Sequence, residues 1–208
     1  MSKACQLLHE RISALPGFTG TYDPTDLPTN GIYFVFETGE TAHGGRRIVR
    51  VGTHTGDNNL QKRINEHLYI PNKDRSVFRK HLGRCVLNAR KDPALSQWEI
   101  DLTPRANRGN HFTPALKEAQ DKVEAEVSDY ITKNLSFAAI KVEAGQRRLQ
   151  LESSLLATIA QCKECGASGN WLGRNHPNRL SFGTIGLWNV QGLKGPPMTE
   201  REVEMLQL

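Results

Sequence analysis

The chain has 208 residues, 38% of them hydrophobic and 24% charged, which suits a globular protein able to fold around one core without disulfides or metals. No apolar run approaches the roughly 20 residues that cross a bilayer, and Leu7, Leu8, Ile12 and Leu15 alternate with charges where a signal peptide would be continuously apolar, so a soluble, cytoplasmic protein is expected. The formal net charge of +5 favours a polyanionic partner, while the lack of a phosphate-cradling P-loop or a dinucleotide fingerprint disfavours nucleotide-dependent phosphoryl transfer.

Residues 4 to 15 read as a helix stopped by Pro16-Gly17, and a polar segment then leads to the turn Asn30-Gly31. Ile32 to Glu37 and Arg47 to Val51 read as strands. The glycine-bearing segment Thr38 to Arg46 between them makes an antiparallel hairpin. Helical spacing follows at Leu60, Ile64, His67 and Leu68, and again at Val77, Phe78, Leu82, Val86 and Leu87, with Ser76 placed to cap the second helix. That helix also carries Arg75, Arg79, Lys80, His81, Arg84 and Arg90, a basic face suited either to a nucleic-acid backbone or to solvent.

Residues 92 to 111 look mostly irregular, and Thr113-Pro114 opens a long helix through about Asn134 with alternating charges. Ser136 to Val142 is a third strand, and Arg147 to Gln161 a helix that turns Leu151, Leu155, Leu156 and Ile159 to the core, with Glu152 beside the first of them. Trp171 and Trp188, each flanked by glycine and leucine, are expected to anchor loops rather than to stack on bases. Residues 199 to 207 form a short last helix. Cys5, Cys85, Cys162 and Cys165 are too scattered for a disulfide framework. Cys162-Lys163-Glu164-Cys165 supplies only two of the four ligands of a structural zinc site, Cys5, Cys85 or His176 could complete it only by an accident of folding, and two ordinary thiols at a helix end are expected. The fold class is α+β, a small mainly antiparallel sheet (hairpin 32–51 plus strand 136–142) flanked by several helices.

Five segments in order resemble the GIY-YIG nuclease family. Gly31-Ile32-Tyr33-Phe34-Val35-Phe36 matches the first signature, and Ile48-Val49-Arg50-Val51-Gly52-Thr53 stands in the place of the second. Leu60-Gln61-Lys62-Arg63-Ile64-Asn65-Glu66-His67 matches the helix carrying an arginine and, in many members, a histidine one turn later. Leu151-Glu152-Ser153-Ser154-Leu155-Leu156 resembles the helix with the metal-binding glutamate, and Asn170-Trp171-Leu172-Gly173 the segment that supplies an asparagine, with Asn175 as the alternative register. The resemblance implies a nuclease domain over residues 31–176 with an insertion near 92–134, an N-terminal helical extension over 1–30 and a C-terminal extension over 177–208 packed on the domain.

It also implies a metal-dependent endonuclease acting on nucleic acid, with DNA the first expectation. Glu152 would hold one divalent ion, Mg2+ or Mn2+, and Arg63 the scissile phosphate. Tyr33 would act as base or orient water, although a free phenol has a pKa of about 10. His67 would relay the proton or serve as base itself, and Asn170 would orient Glu152 or substrate. Arg50, His54, Arg79 and Lys80 are the expected substrate-binding residues. One departure stands out: the second signature normally has a tyrosine where this chain has Arg50. The alternatives are therefore a nucleic-acid-binding module of the same fold without catalysis, or a protein-interaction domain using the helix over 113–134.

Overall fold

Gly31 to Glu37 is buried without a break, a pattern that a strand sustains only when both faces of its sheet are covered. In the computed structural model, which describes residues 2–20, 22–178 and 186–208, that strand, β1 (Gly31–Ala42), is the centre of a three-stranded antiparallel sheet. β2 (Gly45–Gly52) lies on one side of it and β3 (Leu135–Lys141) on the other. The side chains of β1 then divide by parity. Ile32, Phe34 and Phe36 pack with α1 (Lys3–Ser13), α7 (Gly145–Ala160) and α8 (Glu200–Glu204). Tyr33 and Val35 pack with α2 (Leu60–Leu68), α3 (Val77–Ala89) and α6 (Pro114–Asn134). Among the described residues no helix is long and apolar enough to cross a membrane.

The α+β fold, the hairpin and the third strand are as the sequence predicts, with two corrections of detail. The expected nine-residue loop is much tighter: Ala42 pairs with Gly45, leaving only His43 and Gly44 in the turn, both at positive φ (52° and 78°). That is the backbone which follows the natural twist of two antiparallel strands. Residues 92 to 111, read as irregular, contain the short helices α4 (Leu95–Trp98) and α5 (Arg105–His111), whose lengths are too small for periodicity to register. Caps form as their sequences suggest. Ser76 accepts the Arg79 N–H, Thr113 accepts the Leu116 N–H, and Thr199 with Glu202 closes a reciprocal capping box.

The segments expected as extensions share the core of the domain. α1 contributes Cys5, Leu8 and Ile12 to the same cluster as the sheet, and Arg11 Nη2 donates to the Leu206 carbonyl over 2.7 Å. Of the expected C-terminal extension, residues 179–185 lie outside the described residues. Both Trp171 and Trp188 are buried, as anchoring requires, and their indole N–H groups donate to one carboxylate oxygen, Glu37 Oε2, at 3.0 and 2.9 Å. Tyr130 gives its hydroxyl hydrogen to the other oxygen. Burial pushes the Glu37 carboxyl up, and these three donors work against that shift.

Gly52 sits opposite Tyr33 across the hairpin, and the phenol ring occupies the space where a side chain would be. A Cβ built on Gly52 would stand 2.3 Å from Tyr33 Cζ and Oη. Gly52→Ala is therefore expected to cost about 1–3 kcal/mol through overpacking. Urea denaturation checks it, as a lower midpoint at unchanged slope.

α3 packs on the turn Leu172–Asn175, and at that junction His81 Nδ1 lies 2.9 Å from His176 Nε2 and 3.0 Å from Arg84 Nη1. Arg84 can only donate, so His81 Nδ1 accepts and the ring is neutral. Burial, then Arg84 and His176, push His81 down to about 3, and burial also lowers His176. The unfolded chain therefore takes up protons near pH 6.5 before the folded one does. Stability is expected to fall as the pH drops from about 7.5 to about 5.5. Urea midpoints across that range check it, and His81→Asn should make the fall shallower while His67, lowered in the same direction, keeps its share.

Candidate functional site

The parity that buries Tyr33 also decides what faces it. Arg50 pairs with Val35, one step along the same face of the hairpin, so its guanidinium runs diagonally to the phenol and Nε donates to Tyr33 Oη over 3.3 Å. The remaining nitrogens are also engaged. Nη1 donates to the Trp188 carbonyl and Nη2 to His67 Nε2, each over 3.4 Å, and the guanidinium lies 5.0 Å from the centre of the Phe78 ring.

Arg50 has no acceptor, so His67 Nε2 receives its hydrogen and His67 Nδ1 carries the one given to Ser76 Oγ over 2.6 Å. His67 reaches this position because α2 turns Leu60, Ile64, His67 and Leu68 inward at intervals of three and four residues. It is fully buried. Burial first, and then the charges of Arg50, Arg63 and Arg79, hold it neutral well below the usual imidazole range.

The same helix leaves Lys62, Arg63 and Glu66 on its outer side. They line an open pocket of about 550 Å³ with Thr53, His54 and Glu152. Glu152 enters from α7, where the spacing of Leu151 and Leu155 sinks the core face and leaves the glutamate at its rim. Its Oε1 accepts the Thr53 N–H at 3.1 Å. Burial raises its carboxyl, opposed by Arg50, by that hydrogen bond and by Arg63. Arg63 Nη1 lies 3.1 Å from Glu66 Oε2, a pair about a quarter to a third exposed and worth little, on the order of 0–1 kcal/mol. His54 closes the inner end of the pocket: it is buried, and its Nε2 accepts the Gly31 N–H at 3.2 Å.

Arg63, Glu152 and His54 thus share one wall, while Tyr33, Arg50 and His67 form a second, interior group that does not line the pocket. Tyr33 is only 1% exposed. The charges of Arg50 and Arg63 both act on Glu152 and join the two groups electrostatically.

Other sequence-predicted residues lie elsewhere. Arg79 is buried, with Nε bound to Glu124 Oε2 at 2.9 Å, and Lys80 Nζ donates to the Glu99 carbonyl at 3.2 Å. Arg84 forks onto Glu99 with two bonds of 2.5 Å, and Arg90 pairs with Glu126. The basic face expected on α3 is thus largely spent on acidic partners from α6 and the segment before it. Asn170 is exposed in the turn before Trp171, and the Asn175 carbonyl accepts from Asn88. Neither lines the pocket.

Asn189 is the asparagine that meets the sheet at the site. Its Oδ1 accepts the Val51 N–H at 3.1 Å and its Nδ2 donates to the Val51 carbonyl at 2.8 Å, between Arg50 and Gly52. The run Gly186-Leu187-Trp188-Asn189 is visible in the sequence, but its distance from Glu152 gives no local sign of the contact. Thr53, Lys62 and Glu66 are further additions, identifiable only as neighbours of Gly52 and Arg63.

Among curated proteins and among solved structures, none matches this chain. The model of one family does, that of the GIY-YIG domain, and it spans residues 3–205 and so takes in α1 and α8 as well as the sheet. With the glycine-tyrosine strand paired to the Val51-Gly52 strand, and the Arg63 and Glu152 helices meeting at one pocket, this chain belongs to the GIY-YIG domain family.

Proposed function

We propose that this protein is a divalent-metal-dependent endonuclease that hydrolyses phosphodiester bonds of nucleic acid, with DNA as the substrate class. The family suggests nuclease-type chemistry, and its members generally use divalent metals. The observation that carries the reading here is the placing of Glu152 and Arg63 on the wall of one open pocket.

A hard divalent ion takes oxygen ligands and keeps several waters. Glu152 fits that demand: one carboxylate oxygen is fixed by the Thr53 N–H, and the side chain borders a space with room for water and phosphate. A bound Mg2+ or Mn2+ would stabilise negative charge on the phosphate and leaving oxygens. Arg63 offers a planar guanidinium to two phosphate oxygens once Glu66 releases it, and Lys62 adds a second positive charge to the same wall.

Behind the wall, Arg50 is a fixed cation held by Tyr33, Trp188 and His67. Because Tyr33 Oη already accepts from Arg50, its own hydrogen remains to be given, but buried behind the wall it would orient only a water or phosphate oxygen that reaches past the pocket. His67 has both nitrogens committed, one to Arg50 and one to Ser76, so its role in this reading is to position Arg50 and keep it from swinging. Asn189 holds β2 beside them.

A second reading, a nucleic-acid-binding module without catalysis, is favoured by the burial of Tyr33 and the engagement of its hydroxyl by Arg50. It calls for salt-sensitive binding with no metal-dependent cutting.

Cleavage of supercoiled plasmid and branched DNA by the full chain with Mg2+ or Mn2+ tests both. Glu152→Ala and Arg63→Ala are each expected to slow cutting by about 10²-fold or more while circular dichroism stays unchanged. Wild-type rates in both variants would rule the site out, and binding without cutting by the unaltered chain would establish the second reading.

A further inference from the structure

A set of sulfur and nitrogen atoms that the nuclease pocket does not use converges at the turn of the hairpin. Cys5 Sγ and Cys165 Sγ lie 3.3 Å apart, Cys165 Sγ and His43 Nε2 3.2 Å, and Cys162 Sγ and His43 Nε2 3.5 Å. All three cysteines are buried and free, and the sulfurs are too far apart to be bonded, since a disulfide is about 2.05 Å long. Zinc bound by thiolates at about 2.3 Å and imidazole at about 2.0–2.1 Å spaces its tetrahedral ligands roughly 3.5–3.8 Å apart. These three separations fall within about 0.6 Å of that figure, and the ligand atoms of Cys5, His9, His43 and Cys165 all lie within 4.8 Å of one another.

The supporting atoms fit as well. His43 stands at φ 52° in a two-residue turn, a place that suits asparagine or glycine, yet its side chain is 1% exposed. Its ring is directed inward to the sulfurs. Glu164 Oε2 lies 3.5 Å from His43 Nδ1, the carboxylate contact that fixes the hydrogen on one ring nitrogen and leaves the lone pair of the other to a metal. His9 is a neighbour of a different kind. Its Nδ1 donates to the Cys5 carbonyl over 2.9 Å and its Nε2 accepts the Ile48 N–H at 3.3 Å, so both nitrogens are occupied although Nε2 is 3.9 Å from Cys165 Sγ.

We infer that Cys5, His43, Cys162 and Cys165 form a structural Zn2+ site, with His9 as a positioning residue beside it. The further ligands come from distant parts of the chain, Cys5 lying 160 residues from Cys165 in sequence. Cys85 does not take part, being buried in the other core cluster, and His176 is placed against His81. On binding, each of the three thiols gives its proton to solvent as its sulfur donates a pair to the ion, and no electron is transferred. Four protein ligands leave no open position, so the site is structural rather than catalytic. It ties α1, the hairpin turn and the segment following α7, the helix that carries Glu152.

The full chain purified without chelator is expected to carry about one zinc per molecule by elemental analysis. Co2+ added after zinc removal should give the visible absorption of a tetrahedral thiolate complex. Cys162→Ser and Cys165→Ser should each lose that absorption, while His9→Gln and Cys85→Ser keep it. Unaltered protein that holds no zinc as purified, takes up none when it is added and gives no cobalt absorption overturns the proposal, whatever the variants do. Absorption lost in His9→Gln but kept in Cys162→Ser overturns the choice of ligands. None of these measurements depends on nuclease activity.

Discussion

The phenol of Tyr33 lying on Gly52 is the contact from which the rest of this structure is organised. It exists because two adjacent antiparallel strands place Tyr33 and Gly52 opposite one another, and because glycine alone leaves room for the ring. Gly31 meets an equally strict limit on the other side of β1, where an added Cβ would stand 2.1 Å from the Ile140 carbonyl oxygen. The two glycines let the central strand be approached closely from both flanks. Register then follows: Arg50 falls on the tyrosine face, reaches Tyr33 and His67 together, and through His67 fixes α2 so that Arg63 emerges on the outside.

Charge inside the molecule is disposed differently from what a count of basic residues suggests. Arg47, Arg79 and Arg148 are all fully buried, each tied to carboxylates or carbonyls: Arg47 to Glu40, Arg79 to Glu124, Arg148 to the Glu143 and Gly56 carbonyls. Removing one member of such a pair strands the other in a poorly solvating interior. Their cations therefore serve the fold, while Lys62 and Arg63 line the pocket beside the carboxylates of Glu66 and Glu152.

The architecture was largely legible in the sequence because its elements are locally periodic. A continuous apolar run marked β1, three-four spacing marked α2, α3 and α7, and the resemblance of ordered segments to the GIY-YIG family linked Tyr33, Arg63 and Glu152. What escaped detection depends on contacts between distant segments. Glu37 looks like an ordinary strand-end carboxylate until two tryptophans more than a hundred residues later are seen to bind it. Arg79 looks like a surface cation until α6 brings Glu124 alongside. The turn at His43-Gly44 was overestimated in length because glycine-bearing sequence is compatible with both a loop and a strand containing irregular pairing, and only the strand partners decide between them.

The shared grip of Glu37 on Trp171 and Trp188 has an optical consequence. The two indoles lie 4.8 Å apart between ring centres, inclined at 57° and buried in one fixed arrangement. Rings so close and so rigidly held couple their electronic transitions, and near-ultraviolet circular dichroism of this kind vanishes once side-chain packing loosens, even where helices persist. The protein thus contains its own spectroscopic reporter of whether the segment bearing Trp188 and Asn189 is seated against the sheet, read without any label.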